Sequence, residues 1–267
     1  MSQNTNDYIG YYNLTNQAEV LYAQKLYDSC FTTYQKAFSK VDYVHNDNLR
    51  NAAKVCKKLG NKEQATVYLK MIKTHEAAIN QTYKKYLDSL AKRDQGVRSS
   101  KYVKARNYYY SFLFDTTLVA DAKKYAKAET LMKEWWATDS MNIESVKNFI
   151  AKNGFPSEKL VGDMTNNSVA VIILHYDKDT SNHIMEETLK NALYNGNITP
   201  HKYGWIIDRH LYHAGKPQIY HTLPYFIREL SKEERELVNS NRESIGMKKL
   251  EEITIIYHKN SITVKYK

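Results

Sequence analysis

The chain has few of the residues that interrupt regular structure. Of 267 residues, 9 are Gly and 4 are Pro. That argues against a many-stranded sandwich or barrel and for long helices with few breaks. Cys30 and Cys56 are too few for a disulfide framework and lack metal-ligand spacing, so both read as buried thiols. No apolar run approaches the roughly 18 residues of a membrane span. No signal peptide is visible. The polar start Met-Ser-Gln-Asn-Thr could equally follow a removed leader, so cytoplasmic, periplasmic and secreted locations stay open. There is no nucleophile elbow, Gly-rich phosphate loop, Rossmann fingerprint, zinc ribbon or HExxH helix. These absences remove the easily recognised enzyme classes but not enzymes as such.

Hydrophobic residues make up 42% of the chain, enough for a packed core without staples. The unusual residue is tyrosine, 23 against 7 Phe. A Tyr buries its ring while its hydroxyl keeps a polar partner. Thin helical layers would use it so, and a Tyr-lined binding groove is the sharper alternative. The net charge of +10 is uneven, with +9 on residues 1–130 and +1 on residues 131–267. The excess lies between Arg50 and Arg106, where 15 basic residues face Glu63, Glu76, Asp88 and Asp94. Such a stripe could attract nucleic acid, anionic lipid or an acidic protein. Most of these charges are Lys, and no RNA- or DNA-binding motif accompanies them. A solvated Lys-rich helix face is the simpler reading, and nucleic acid the weaker one.

Helical periodicity starts early. Between about residues 16 and 40, Ala18, Leu21, Tyr22, Leu26, Cys30, Phe31, Tyr34, Ala37 and Phe38 make an apolar face. A second face runs through Ala52, Ala53, Cys56, Leu59, Ala65, Tyr68, Leu69 and Ile72. The segments YDSCFTTYQKAF and KEQATVYLKMI align with Cys30 opposite Ala65, an offset of 35 residues. With Tyr27, small residues at Cys30 and Ala65 and a turn glycine at Gly60, the two units resemble tetratricopeptide repeats. Those are helix–turn–helix units with a period of about 34 residues. Two features depart from that pattern: Lys25-Leu26 stands where a turn Gly is usual, and the repeat-ending Pro is absent. The resemblance implies a protein- or peptide-binding surface on the front helices, with a helix near residues 77–93 as a cap.

DQGVRSS at 94–100 reads as a connection. Helices are expected near 102–118 and 121–136, then a third, capped by Asp139-Ser140 and ended by Asn153-Gly154. SVAVIILHYDKD at 168–179 could be a buried strand or a buried helix. The tail, ITIIYH then ITVKYK, alternates and predicts a β-hairpin that docks on the body or invites dimerisation. The expected fold is mostly α. Residues 1–100 form a tetratricopeptide-like repeat region, and residues 101–267 a helical domain with a short terminal hairpin.

Several motifs follow one another in the second region: GFPSEKLVG at 154–162, His175-x-Asp177, the turn from Gly196 to Pro200 and Asp208-Arg209. GKPQIYHT at 215–222 and NRESIGMKKL at 241–250 complete the series. Together they resemble a bacterial domain family of unknown function, over roughly half the chain. The family pattern after Pro-Gln is usually Tyr-Gly-Thr-Gln. Here Tyr220-His221-Thr222-Leu223 puts His for Gly and Leu for Gln. The resemblance favours a helix for 168–179 and implies no known activity.

On their own chemistry, His175 and Asp177 could act as base or ligand, and Arg209 beside Asp208 could clamp an anion. His210 and His213 lie one helical turn apart and could share a metal with His175 or Asp177. No signature supports that, and no metal or other cofactor is expected. Lys216, Gln218, Tyr220 and Thr222 would form the wall of a ligand pocket. Two function classes follow. One is a helical-repeat binding or scaffold module fused to a ligand-binding domain. The other is a hydrolase or metal-assisted hydrolase using His175, Asp177, Asp208 and Arg209.

Overall fold

A computed structural model describes residues 6–114, 121–176, 185–223, 230–250, 253–258 and 261–266, the last two stretches by backbone alone. The chain is mostly helical. α1 (Tyr8–Ala23) folds back on α2 (Tyr27–Phe38), and α3 (Asn46–Lys58) on α4 (Lys62–Ala77).

The turns inside these two pairs match bond for bond. In the first, Leu26 N bonds Leu21 O and Lys25 N bonds Tyr22 O. In the second, Asn61 N bonds Cys56 O and Gly60 N bonds Lys57 O. Each partner in the second turn stands 35 residues after its counterpart in the first. This helix ending needs a left-handed residue. Gly60, at φ +75°, supplies it without strain, whereas Lys25 adopts φ +62° with a Cβ in the way. Cys30 and Ala65 are both buried where the paired helices approach.

α5 (Gln81–Gly96) begins 35 residues after α3, but the recurrence ends there. Its partners are α7 (Ala122–Asn153), α8 (Glu158–Val161) and α9 (Asp163–His175), while α6 (Ser100–Phe114) packs on α7. Two sequence expectations are corrected in this region, the first only in its bounds. The connection expected at 94–100 is shorter, 97–99 between α5 and α6: α5 runs on to Gly96, and Asp94 is buried against Arg98 and His175. Asp139-Ser140 does not open a helix, because α7 is unbroken for 32 residues. Asp139 Oδ1 accepts from Arg98 at 2.8 Å, and Ser140 Oγ donates back to the Trp136 carbonyl one turn earlier, a bond a serine can make inside a continuous helix.

α10 (Glu186–Tyr194), α11 (Pro200–His213) and α12 (Lys232–Ser244) complete the helices. In the tail, β1 (Ile253–His258) pairs antiparallel with β2 (Ser261–Tyr266), Ile253 opposite Tyr266. Residues 168–175 are helical, within α9. Asp177 falls outside the described residues.

One core crosses residue 100. Tyr11, Cys56 and Leu87 share it with Val146, Ile172, Leu193 and Met247. Two glycines of the later half show how closely the halves meet. A Cβ on Gly196 would lie 2.1 Å from the Tyr8 ring, and one on Gly246 2.6 Å from Tyr12 Cβ. Both have positive φ as well, so only glycine lets these turns sit on α1. Among the described residues, no helix is long and apolar enough to cross a membrane.

Candidate functional site at the seam

The seam between α1–α3 and the later helices is built around one buried carboxylate. Gly154 ends α7, Ser157 caps the short α8, and Glu158 occupies its first position. From there the Glu158 side chain reaches the start of α3, whose N-cap residue His45 makes no side-chain cap bond. Glu158 Oε1 accepts the Asn46 N–H at 2.8 Å, and Oε2 lies 2.8 Å from His45 Nδ1. The Tyr43 hydroxyl donates to Oε1 at 3.4 Å. A carboxylate thus caps α3 across the seam, where the helix dipole favours negative charge. Since an ionised carboxylate only accepts, Nδ1 of His45 carries the proton. His45 Nε2 lies 3.0 Å from the Tyr12 hydroxyl, and the two rings stack.

Both partners are nearly dry, at 7% side-chain exposure each. Burial drives the Glu158 pKa up, but the His45 hydrogen bond and charge, the Asn46 amide and nearby Lys202 outweigh it and hold the carboxyl below its ordinary value. A buried ion left unpaired costs several kcal/mol, on the order of 3–5 when one partner is removed. The exposed Lys40–Asp7 pair, by contrast, is worth about 0–1 kcal/mol. The tyrosines beside His45 follow the same logic. Tyr11 Oη accepts from the His45 N–H and from Asn48 Nδ2, and Tyr8 donates to Asp42.

Next to this cluster lies a cavity of about 360 Å³, within the size range of small-molecule sites. Tyr12 and Glu19 of α1 line one side, with His45, Asp47 and Glu158. Asp163, His201, His221, Thr222, Arg242 and Lys248 line the other. Each acid has a base. Asp163 accepts from Lys202 at 2.8 Å, Asp47 from Arg50 at 2.8 Å, and Glu19 pairs with Lys248.

His221 and Thr222 reach the cavity on a loop that Asp208 organises. Asp208 is fully buried, and its carboxylate accepts from the amides of Ile219 (2.8 Å), Tyr220 (2.9 Å) and Thr222 (2.7 Å) and from the Thr222 hydroxyl (2.7 Å). Gln218 Oε1 accepts the Leu223 N–H at 2.9 Å, closing the loop. Tyr220 is buried against Tyr203, and Lys216 is exposed. Of the candidate catalytic and ligand-binding residues named from the sequence, Thr222 alone among those described lines the cavity. His175 stands apart, with Nδ1 3.0 Å from Asp94 Oδ2. Asp94 also pairs with Arg98, which bonds Asp139 and stacks over Trp135. Arg209 follows Asp208 on α11 and is half-buried. No three His, Cys, Asp or Glu side chains converge as a metal would need among the described residues.

The family of unknown function DUF6624 matches residues 117–266, more than half of the chain. The chain belongs to this family. No curated protein and no solved structure matches it. The DUF6624 region contributes Glu158, Asp163, His201, His221, Thr222 and Arg242 to the cavity, whereas Tyr12, Glu19, His45 and Asp47 precede it. Sequence reading missed His45, Glu158, His201 and Arg242. For Glu158 a signal existed, because it sits inside the GFPSEKLVG motif. His45 lies in a stretch without periodicity and gave none.

Proposed function

We propose that this chain is a binding protein for a small polar molecule, held in the cavity between its front helices and its DUF6624 region. The observation that carries this reading is the cavity itself, lined by ionisable side chains from both sides of the seam. The front helices then have two tasks. Their 35-residue recurrence supports reading α1–α4 as two tetratricopeptide-like units, whose outer face could hold a protein or peptide. Their inner face completes the cavity. The test is a thermal-melt screen of the full chain against small polar metabolites, repeated with His201→Trp. His201 is an exposed residue of the cavity lining, and Trp there would fill the space. Compounds that raise the wild-type melting temperature should lose their effect in H201W. Effects that persist unchanged would place the ligand elsewhere.

A hydrolase is the second reading, and one arrangement favours it. Glu158, His45 and Tyr12 stand in the order carboxylate, imidazole, hydroxyl, the order that orients a general base. Burial holds the Tyr12 pKa well above its ordinary value, so Tyr12 would donate a hydrogen bond while His45 acts as the base. A hydrolase using His175, Asp177, Asp208 and Arg209 has less support, because Asp208 already accepts four hydrogen bonds and neither it nor His175 lines the cavity. Turnover of ester or phosphate-ester substrates that is lost in His45→Asn and kept in His175→Asn would favour the His45 version. The reverse pattern would favour the His175 version.

A further inference from the structure

The tyrosines of this chain are used in two ways. Tyr11, Tyr12 and Tyr34 of the front helices are buried in the main core. In the hairpin of α6 and α7 every described tyrosine is only half-buried, Tyr102, Tyr108, Tyr109, Tyr110 and Tyr125 alike. Tyr102, Tyr108 and Tyr109 pack on a small separate core of Ala105, Ala128 and Leu131. We propose that one side of this hairpin, formed by Lys101, Lys104 and Tyr108 of α6 with Lys124 and Lys127 of α7, binds single-stranded nucleic acid. The proposal does not depend on the cavity.

The first support is placement. Lys101, Lys104 and Tyr108 follow one another at spacings of three and four, on one side of α6, and Lys124 and Lys127 are three apart on α7. The two rows belong to the same side of the hairpin, because Lys124 Nζ lies 4.2 Å from the centre of the Tyr108 ring. Tyr109 stacks on Tyr125, and the Tyr102 hydroxyl donates to Glu134 at 2.8 Å. The helices therefore run antiparallel, and Lys104 stands level with Lys127. All four lysines are exposed. The basic stretch that begins at Arg50 thus reaches this surface only at its end, where α7 adds lysines from a later part of the chain.

The second support is chemistry. Residues 100–136 hold seven basic and four acidic residues. Three of the acids are engaged within the hairpin: Asp121 accepts the Lys124 backbone N–H as the cap of α7, Glu129 pairs with Lys133, and Glu134 accepts from Tyr102. None of these bonds reaches the ammonium group of Lys101, Lys104, Lys124 or Lys127. The fourth acid, Asp115, falls outside the described residues. Four ammonium groups on one side are the complement of a phosphate chain. The aromatic ring among them favours unpaired bases, whose faces are free to stack, over a duplex. Lys124 now covers the Tyr108 ring, and a base taking its place would send that ammonium to a neighbouring phosphate. A lipid surface fits less well, because an interfacial helix buries Trp, Phe or Leu. The nearest such ring, Phe112, is packed against Tyr108 and Tyr125.

The test is fluorescence anisotropy with the full chain and labelled single-stranded RNA and DNA of about 12 nucleotides, over a series of salt concentrations. A duplex of the same length and phosphatidylserine vesicles are the comparisons. The variants are K104E/K127E, the milder K104Q/K127Q and Y108L. K70E/K73E, on the exposed side of α4, makes the same change in net charge elsewhere. The expected result is saturable binding of single strands, with log affinity falling against log salt at a slope of about −3 for four lysines. K104E/K127E should weaken binding tenfold or more, and both it and K104Q/K127Q should flatten the slope by about 1.4. Y108L should weaken binding about fivefold or more with the slope kept, and K70E/K73E less than threefold. If K104E/K127E melts early, K104Q/K127Q decides. Binding of RNA alone or DNA alone would support the proposal and identify the strand. No binding of either at low salt would overturn it. So would equal losses in K104E/K127E and K70E/K73E, or a duplex bound as tightly as a single strand. Vesicle binding lost in K104E/K127E, with no oligonucleotide bound, would assign the surface to lipid instead.

Discussion

Two acid–histidine pairs, one buried on both sides and one with a half-buried histidine, tie the halves of this molecule together, and they are mirror images. His45 precedes residue 100 and takes its acid, Glu158, from the DUF6624 region. His175 lies in the DUF6624 region and takes its acid, Asp94, from α5. The chemistry is the same, but the surroundings differ. Glu158 spends its second oxygen on the α3 amide, and His45 its second nitrogen on Tyr12, beside a cavity. Asp94 shares its charge with Arg98, which is shared in turn with Asp139. The comparison teaches that the same pair of groups can be embedded differently: His45 and Glu158 line a cavity, while His175 and Asp94 belong to a network of charges that runs through Arg98 to Asp139.

The strongest way to break this comparison is to remove each acid in turn. Glu158→Ala leaves the Asn46 amide, His45 and Tyr43 without their acceptor and should lower unfolding free energy by about 3–5 kcal/mol in denaturant titrations. Asp94→Ala should cost less, about 2–3 kcal/mol, because Arg98 keeps Asp139. A larger loss for Asp94 would make the His175 network, not the seam, the main tie.

Acid sharpens the contrast, because the two regions respond with opposite sign. The Glu158 pKa lies below its unfolded value of 4.5, so its contribution is present above that pH and is lost as pH falls through the folded value. The Asp139 pKa is raised above 3.8, chiefly by burial and against the Arg98 hydrogen bond. Its ionisation therefore weakens the fold at higher pH, and protonation relieves the penalty. Between about pH 3 and 5, stability should fall less steeply with acid in Glu158→Gln than in wild type and more steeply in Asp139→Asn. Equal slopes in all three would deny the opposition.

The smallest effect concerns the paired turns. Lys25→Gly should stabilise the chain by about 1 kcal/mol by removing a left-handed Cβ, and Gly60→Ala should destabilise it by a similar amount. Thermal melts of both variants would check this. A Lys25→Gly protein less stable than wild type would mean the Lys side chain contributes more than its strain costs.

The sequence made local regularity legible. The offset that aligned Cys30 with Ala65 reappears in the hydrogen bonds of two turns, and the scarcity of Gly and Pro matched a mostly helical chain. Features that depend on distant partners were not legible. Asp139-Ser140 looked like a cap because Asp and Ser usually act on their own backbone, and it is Arg98, in the turn between α5 and α6, that pairs with the buried Asp within α7. GKPQIYHT drew attention as a polar loop, but most of its polar groups bond within the loop or to Asp208, Thr222 among them, and His221 and Thr222 line the cavity. The pairing of His45 with Glu158 spans 113 positions, and although the GFPSEKLVG motif marked the Glu158 end, nothing local marked its partner. An acid in the first turn of a helix has a common local explanation, which hid its role here.

The histidines offer the most direct measurement of the central claim. Their ring resonances, followed by NMR, report both pairs at once while a compound that stabilises the protein is titrated in. If the seam holds the ligand, the His45, His201 and His221 signals shift with one dissociation constant while His175, tied to Asp94, stays in place. A shift confined to His175 would contradict the account and return the functional site to the residues that the sequence first suggested.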